Sequence, residues 1–147
     1  MSKSTISSVF PDVNVWLALS SPDHEHFQSA WKWYQSLPES AVLLFCRHTQ
    51  LGLLRLLTTR AAMGPGTLTQ AQAWRAYNRW IDAGGAEYAE EAAGVEAAFR
   101  TYSTKGEASP KEWADAYLAA FSQTAGSQLV TFDRALAGKV KGAVLLA

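Results

Sequence analysis

Apolar runs of strand length alternate with amphipathic stretches of helical period along the whole of this sequence, a pattern that points to an α/β fold built on parallel strands. Ser8 to Asp12 reads as a short buried strand, and Val13 to Leu19 as the helix that follows it directly. Ser20 to Asp23 make a turn and an N-cap, after which Phe27, Ala30, Trp31 and Tyr34 recur at helical spacing as far as Pro38. Ala41 to Cys46 is a continuous apolar run, as expected of an inner parallel strand covered on both faces. A leucine-rich helix, Thr49 to Leu57, ends before Met63-Gly64-Pro65-Gly66-Thr67, through which no helix continues. Thr69 opens the next helix, with Ala73, Trp74, Tyr77 and Trp80 on one face, and Gly84-Gly85 separates it from a weakly patterned strand over Ala86 to Ala89. Ala92 to Tyr102 is helical. Ser109 caps a helix that has Pro110 at its first position and runs to Ala125, where Gly126 stops it. Gln128 to Thr131 forms the fourth strand and Ala143 to Leu146 the last.

A chain of 147 residues, 48% hydrophobic and 18% charged, is read as one domain over residues 1–147 with its own core. Thirteen basic and thirteen acidic residues cancel, which excludes a protein that coats nucleic acid by bulk charge and requires any such contact to be local. Arg47, Arg55, Arg60 and Arg134 are the candidates to hold a phosphate backbone. Cys46 is the only cysteine, so an internal disulfide and a thiolate zinc site are excluded, and a core role in a reducing compartment is expected. Residues 1–8 are polar and no long apolar run occurs, so the expected location is the cytoplasm.

The chemistry rests on three aspartates. In open α/β sheets ligands bind beyond the carboxyl ends of the strands, where Asp12 and Asp133 fall. Asp115 lies early in the apolar helix Glu112 to Ala120 and needs a partner there. Singly, each reads more often as a structural cap or strand-end residue than as a functional one. Together, three carboxylates stay ionised only around a cation. Magnesium or manganese takes oxygen ligands and keeps several waters, leaving room for a phosphate oxygen and an attacking water, which suits phosphodiester hydrolysis.

Phe10-Pro11-Asp12-Val13-Asn14-Val15-Trp16 resembles the opening strand motif of PIN-domain nucleases, particularly the VapC toxins of toxin–antitoxin pairs. Trp113 to Ala120 resembles the family's central acidic helix, and Leu129-Val130-Thr131-Phe132-Asp133-Arg134 its fourth-strand motif, in the same order. The resemblance spans residues 9 to 146. It implies a three-layer α/β/α sandwich around a four- to five-stranded, mainly parallel sheet. It also implies a Mg2+- or Mn2+-dependent endoribonuclease, homodimeric and restrained by a cognate antitoxin. Asp12, Asp115 and Asp133 match the family's catalytic, metal-binding acids, Thr131 a hydroxyl near the metal water or substrate, and Asn14 a weaker supporting position. Gly52 departs from the pattern, because many members carry a glutamate there.

Further candidates stand around these motifs. Gln50 is expected to face the site and hold a metal-bound water, and Arg55 to contact phosphate. Glu112, one turn before Asp115, offers a fourth oxygen or orients a lysine. His24 and His26 point to different faces of a helix and make no zinc site. Trp31 and Trp33 cannot both face one core, which places one of them against a second subunit or partner, and exposed tryptophans can stack on unpaired bases. Two other readings remain open: a PIN fold that has lost catalysis and grips RNA or protein, and a receiver- or phosphatase-like protein that phosphorylates an aspartate beside Lys139 or Lys141.

Overall fold

The structure, a computed structural model, describes residues 7–104 and 106–147; residues 1–6, part of the segment read above as a polar start, lie outside them. Five strands, β1 (Ser8–Pro11), β2 (Val42–Phe45), β3 (Ala86–Tyr88), β4 (Gln128–Thr131) and β5 (Val144–Leu145), form one sheet in the order β3-β2-β1-β4-β5. Every pairing is parallel, so the sheet is wholly rather than mainly parallel. The helices are α1 (Val13–Ser20), α2 (Phe27–Gln35), α3 (Arg47–Leu57), α4 (Arg60–Met63), α5 (Gln70–Asp82), α6 (Val95–Tyr102), α7 (Pro110–Ala125) and α8 (Arg134–Ala137).

Side chains alternate across a pleated strand, and that period of two builds the layers. Val9, Leu43, Phe45 and Val130 enter one core, under α1, α3 and α5, while Phe10 and Leu129 enter the other, under α7 and α8. Trp16 of α1 stacks on Phe45 with ring centroids 3.8 Å apart, and Phe10 stacks on Phe121 of α7 at 4.7 Å. The result is a three-layer α/β/α sandwich. Cys46 is a free thiol at the edge of the second core, buried as expected.

From β1 the chain steps outward through β2 to β3, then returns to lay β4 and β5 on the other side of β1. Neighbouring strands β1 and β4 therefore flank the point where the strand order reverses, and in open α/β sheets ligands bind past the carboxyl ends of such a pair. A receiver domain orders its strands 2-1-3-4-5, which this sheet does not, so the receiver-like alternative fails on topology.

Three expectations about helices need correction. The N-cap position of α2 is His26, not Asp23, and the backbone N–H of His26 donates to Nδ1 of His24 at 3.0 Å. Trp74 does not share the buried face of α5: Ala73, Ala76 and Tyr77 are buried, whereas Trp74 is 46% exposed. Trp31 and Trp33 both pack, half-buried, against the first core, because each wide ring covers the core from the flank of a short helix.

Candidate metal centre

Asp12 follows β1 as the N-cap of α1, its Oδ1 accepting the N–H of Val13 at 2.6 Å. Asp133 caps α8 beyond β4, its Oδ1 accepting from the N–H groups of Ala135 at 2.9 Å and Leu136 at 3.2 Å. Asp133 makes the ordinary cap to the second and third helical N–H groups, whereas Asp12 accepts from the first; each leaves its second carboxylate oxygen to another side chain, Thr131 or Lys111. Thr131, fully buried as the last residue of β4, links the two. Its hydroxyl donates to Asp12 Oδ2 at 2.9 Å and accepts the N–H of Asp133 at 2.9 Å.

Asp115 comes from α7, 7% exposed amid Ala116, Leu118 and Ala119. Its partner is Lys111, one turn earlier, whose Nζ lies 2.8 Å from Asp115 Oδ2 and also 2.8 Å from Asp133 Oδ2. One ammonium thus ties Asp115 to Asp133, which Thr131 in turn joins to Asp12. Sequence reasoning overlooked this lysine, although its position four residues before Asp115 is the spacing at which helical ion pairs form.

The electrostatics follow from that layout. Burial pushes the carboxyl of Asp12 above the ordinary aspartate value; its hydrogen bonds from Thr131 and Val13 oppose this, and the charges of Asp115 and Asp133 add to it. The hydrogen bond from Lys111 holds Asp133 below its ordinary value. Bonds to Asp115 and then Asp133 raise Lys111 in turn. His48 of α3, which sequence reasoning also passed over, is lowered by burial, raised by Asp12 and lowered by Arg55. It stands in the first turn of α3, directly after β2.

The expected cluster of bare carboxylates is therefore corrected in one respect. Lys111 stands among them, and among the described residues no three Asp, Glu, His or Cys side chains come close enough as they stand to ligate one ion. The physical reason is the mutual repulsion anticipated for three acids, here relieved by a cation the chain itself supplies. Three carboxylates and one ammonium still leave two negative charges, and the donors are hard oxygens. This set fits a divalent ion such as Mg2+ or Mn2+.

The remaining candidates fall around this centre. Gln50 is buried and its Oε1 accepts from Arg47 at 2.6 Å, so it serves α3 and not the acids. Glu112 pairs with Lys139 at 2.6 Å; it orients a lysine, as one option had it, and adds no fourth oxygen. Asn14 is exposed on α1 and Arg55 exposed on α3, with no side-chain hydrogen bond from either to the acids among the described residues. At Gly52 a Cβ would lie 2.7 Å from Val13 Cγ2. The glycine is a packing residue that lets α3 approach α1 next to Asp12.

A family model described as the PIN domain matches residues 9–141. The chain belongs to the PIN-domain family. Among relatives of this PIN domain is Ribonuclease VapC41 of Mycobacterium tuberculosis, 42% identical over 128 residues, which cover 84% of this chain and 88% of that one. Among solved structures, the toxin VapC20 of Mycobacterium tuberculosis, described as cleaving the sarcin-ricin loop, has a TM-score of 0.66 at 17% identity and covers 95% of this chain and 99% of its own. VapBC2 of Rickettsia felis, bound to a DNA fragment from its promoter, has a TM-score of 0.65 at 13% identity, covering 94% and 96%. These two likenesses concern the PIN fold.

Proposed function

We propose that this PIN domain is a metal-dependent endoribonuclease, the toxin of a VapBC-type toxin–antitoxin pair, with Asp12, Asp115 and Asp133 as its catalytic, metal-holding acids. The observation that carries this reading is the link through Thr131 and Lys111, which gathers acids from residues 12, 115 and 133 at the reversal point of the sheet. The 42% identical relative, a ribonuclease by name, supports RNA as the substrate class.

Bound by these three acids, Mg2+ or Mn2+ supplies Lewis acidity toward a phosphoryl oxygen and makes a water acidic enough to attack. The chain's own residues hold that chemistry in place. Thr131 holds Oδ2 of Asp12, and the N–H groups at the start of α8 fix Asp133. Lys111 brings positive charge to where a phosphate oxygen would approach. Hydrolysis of a phosphodiester then transfers a water oxygen to phosphorus and a proton to the departing oxygen.

The protein acts in the cytoplasm as a homodimer restrained by a cognate antitoxin; the buried thiol of Cys46 suits a reducing compartment, and among the described residues no helix is long and apolar enough to cross a membrane. The test is cleavage of total RNA by the purified protein in chelator, followed by titration with Mg2+ or Mn2+. Cleavage that starts with the metal supports the proposal. Metal binding in calorimetry with no cleavage would favour the binding-module reading, which the glycine at position 52 keeps in play.

A further inference from the structure

Charge is distributed unevenly along this neutral chain. Residues 47–81, spanning α3, α4 and α5, contain Arg47, Arg55, Arg60, Arg75 and Arg79 and no Asp or Glu. All five arginines are exposed, and none is in a salt bridge among the described residues, whereas Arg100 and Lys139 elsewhere are paired with glutamates. Unpaired guanidinium groups on one limb of a protein of zero net charge make a local site for polyanions.

The same limb exposes apolar surface. Leu51 is 60% exposed and Trp74 is 46% exposed. Between α3 and α5 these residues, with Leu54, Arg55, Thr58 and Gln70, line a groove of about 360 Å³ that contains no acidic side chain. Trp74 is held edge-on by Tyr77, with centroids 5.8 Å apart and rings at 84°, so the indole is braced and still accessible. A braced aromatic beside a free arginine is the arrangement on which an unpaired base stacks while its phosphate is held.

The helix that walls the groove begins beside the acids. His48 is in the first turn of α3, directly after β2, and Gly52 of the same helix lies against Val13, the neighbour of Asp12. From His48 to Arg55 is about 10 Å along the helix axis. Resting on the ribonuclease reading, we propose that the groove between α3 and α5 is the substrate track: single-stranded RNA runs from the acids past His48, with a base stacked on Trp74 and a phosphate on Arg55. Charge decides the occupant, because an apolar protein partner seated in the groove would cover the guanidinium of Arg55 and bring it no anion.

The test uses the full chain, a fluorescein-labelled single-stranded oligouridylate and fluorescence anisotropy in chelator, which keeps cleavage off. Trp74→Ala is expected to weaken binding about five- to a hundredfold and Trp74→Phe far less. Arg55→Gln is expected to lower affinity and reduce the slope of log affinity against log salt by about one. Arg100→Gln, which removes a paired arginine, leaves binding unchanged. Wild-type affinity in both Trp74→Ala and Arg55→Gln, no oligouridylate binding by wild type, or a change confined to oligomeric state or antitoxin binding would each overturn the track. Cleavage of total RNA with Mg2+ separates this from the ribonuclease reading. A protein that binds through Trp74 and Arg55 but never cuts retains the track and loses the nuclease; one that cuts equally well without both side chains retains the nuclease and loses the track.

Discussion

The hydroxyl of Thr131 donates to Asp12 Oδ2 at 2.9 Å across 119 residues of sequence, joining the ends of two adjacent strands at the point where the sheet reverses. Because Thr131 is fully buried, no water takes over when its hydroxyl is removed. Thr131→Val keeps the shape and strips both Asp12 and the N–H of Asp133 of a partner. Loss of a group that orients a ligand typically costs tenfold to a hundredfold. A fall of about that size in RNA cleavage is expected for Thr131→Val, with Thr131→Ser near wild type; steady-state kinetics on one RNA checks both.

Lys111 occupies by its ammonium part of the field that a divalent ion would occupy. Replacing it by methionine leaves Asp115 and Asp133 facing each other without compensation. Metal-free Lys111→Met is expected to melt at a lower temperature than wild type at neutral pH, to bind Mn2+ more tightly in calorimetry, and to regain more of its melting temperature when Mn2+ is added. Weaker Mn2+ binding would show that the lysine organises the acids instead of competing for them.

Asp12 makes the metal-free protein sensitive to pH. Its carboxyl titrates above the ordinary aspartate value in the folded state, because burial penalises the charge. The sign follows from linkage: stability associated with protonated Asp12 is fully present below the unfolded-state value, about pH 4, and is lost as pH rises through the raised folded-state value. Asp12→Asn carries no such loss. In chelator the variant is expected to match wild type near pH 4 and to become the more stable of the two as pH rises, then hold that advantage. Chemical denaturation across pH reads the difference.

Gly52 tests whether the missing family glutamate is a vacancy or a packing choice. A Cβ 2.7 Å from Val13 Cγ2 leaves no room, and overpacking of this kind costs about 1–3 kcal/mol. Gly52→Ala is expected to destabilise by that amount, and Val13→Ala in the same chain to recover most of it, a coupling that a double-mutant cycle in urea measures directly. Gly52→Glu then unfolds or distorts the site and does not add a ligand.

Where local chemistry and global fold agreed, the sequence was readable. The strand Gln128–Thr131, bounded by Gly126 and Asp133, and the helix begun by Pro110 stand where their punctuation placed them. Thr69 caps α5 with Gln72 reciprocating, as its spacing suggests. The three aspartates were legible because each sits in a recognisable motif, Asp12 and Asp133 at element boundaries and Asp115 inside an otherwise apolar helix. Lys111 was not, since nothing local distinguishes a lysine that salts one helical neighbour from one that also reaches Asp133, 22 residues on. The exposure of Trp74 was hidden for a related reason: helical period places it near Ala73 and Tyr77, and only the approach of α3 decides which flank of α5 stays open.

Asp115, inside α7, is the acid with no strand-end or capping reason to be where it is. Cleavage of a defined RNA by Asp115→Asn, shown by circular dichroism to be folded and assayed with Mg2+ beside wild type, tests its catalytic part directly. A rate lower by more than about a hundredfold is the predicted result; cleavage at the wild-type rate by the folded variant contradicts a shared metal at residues 12, 115 and 133.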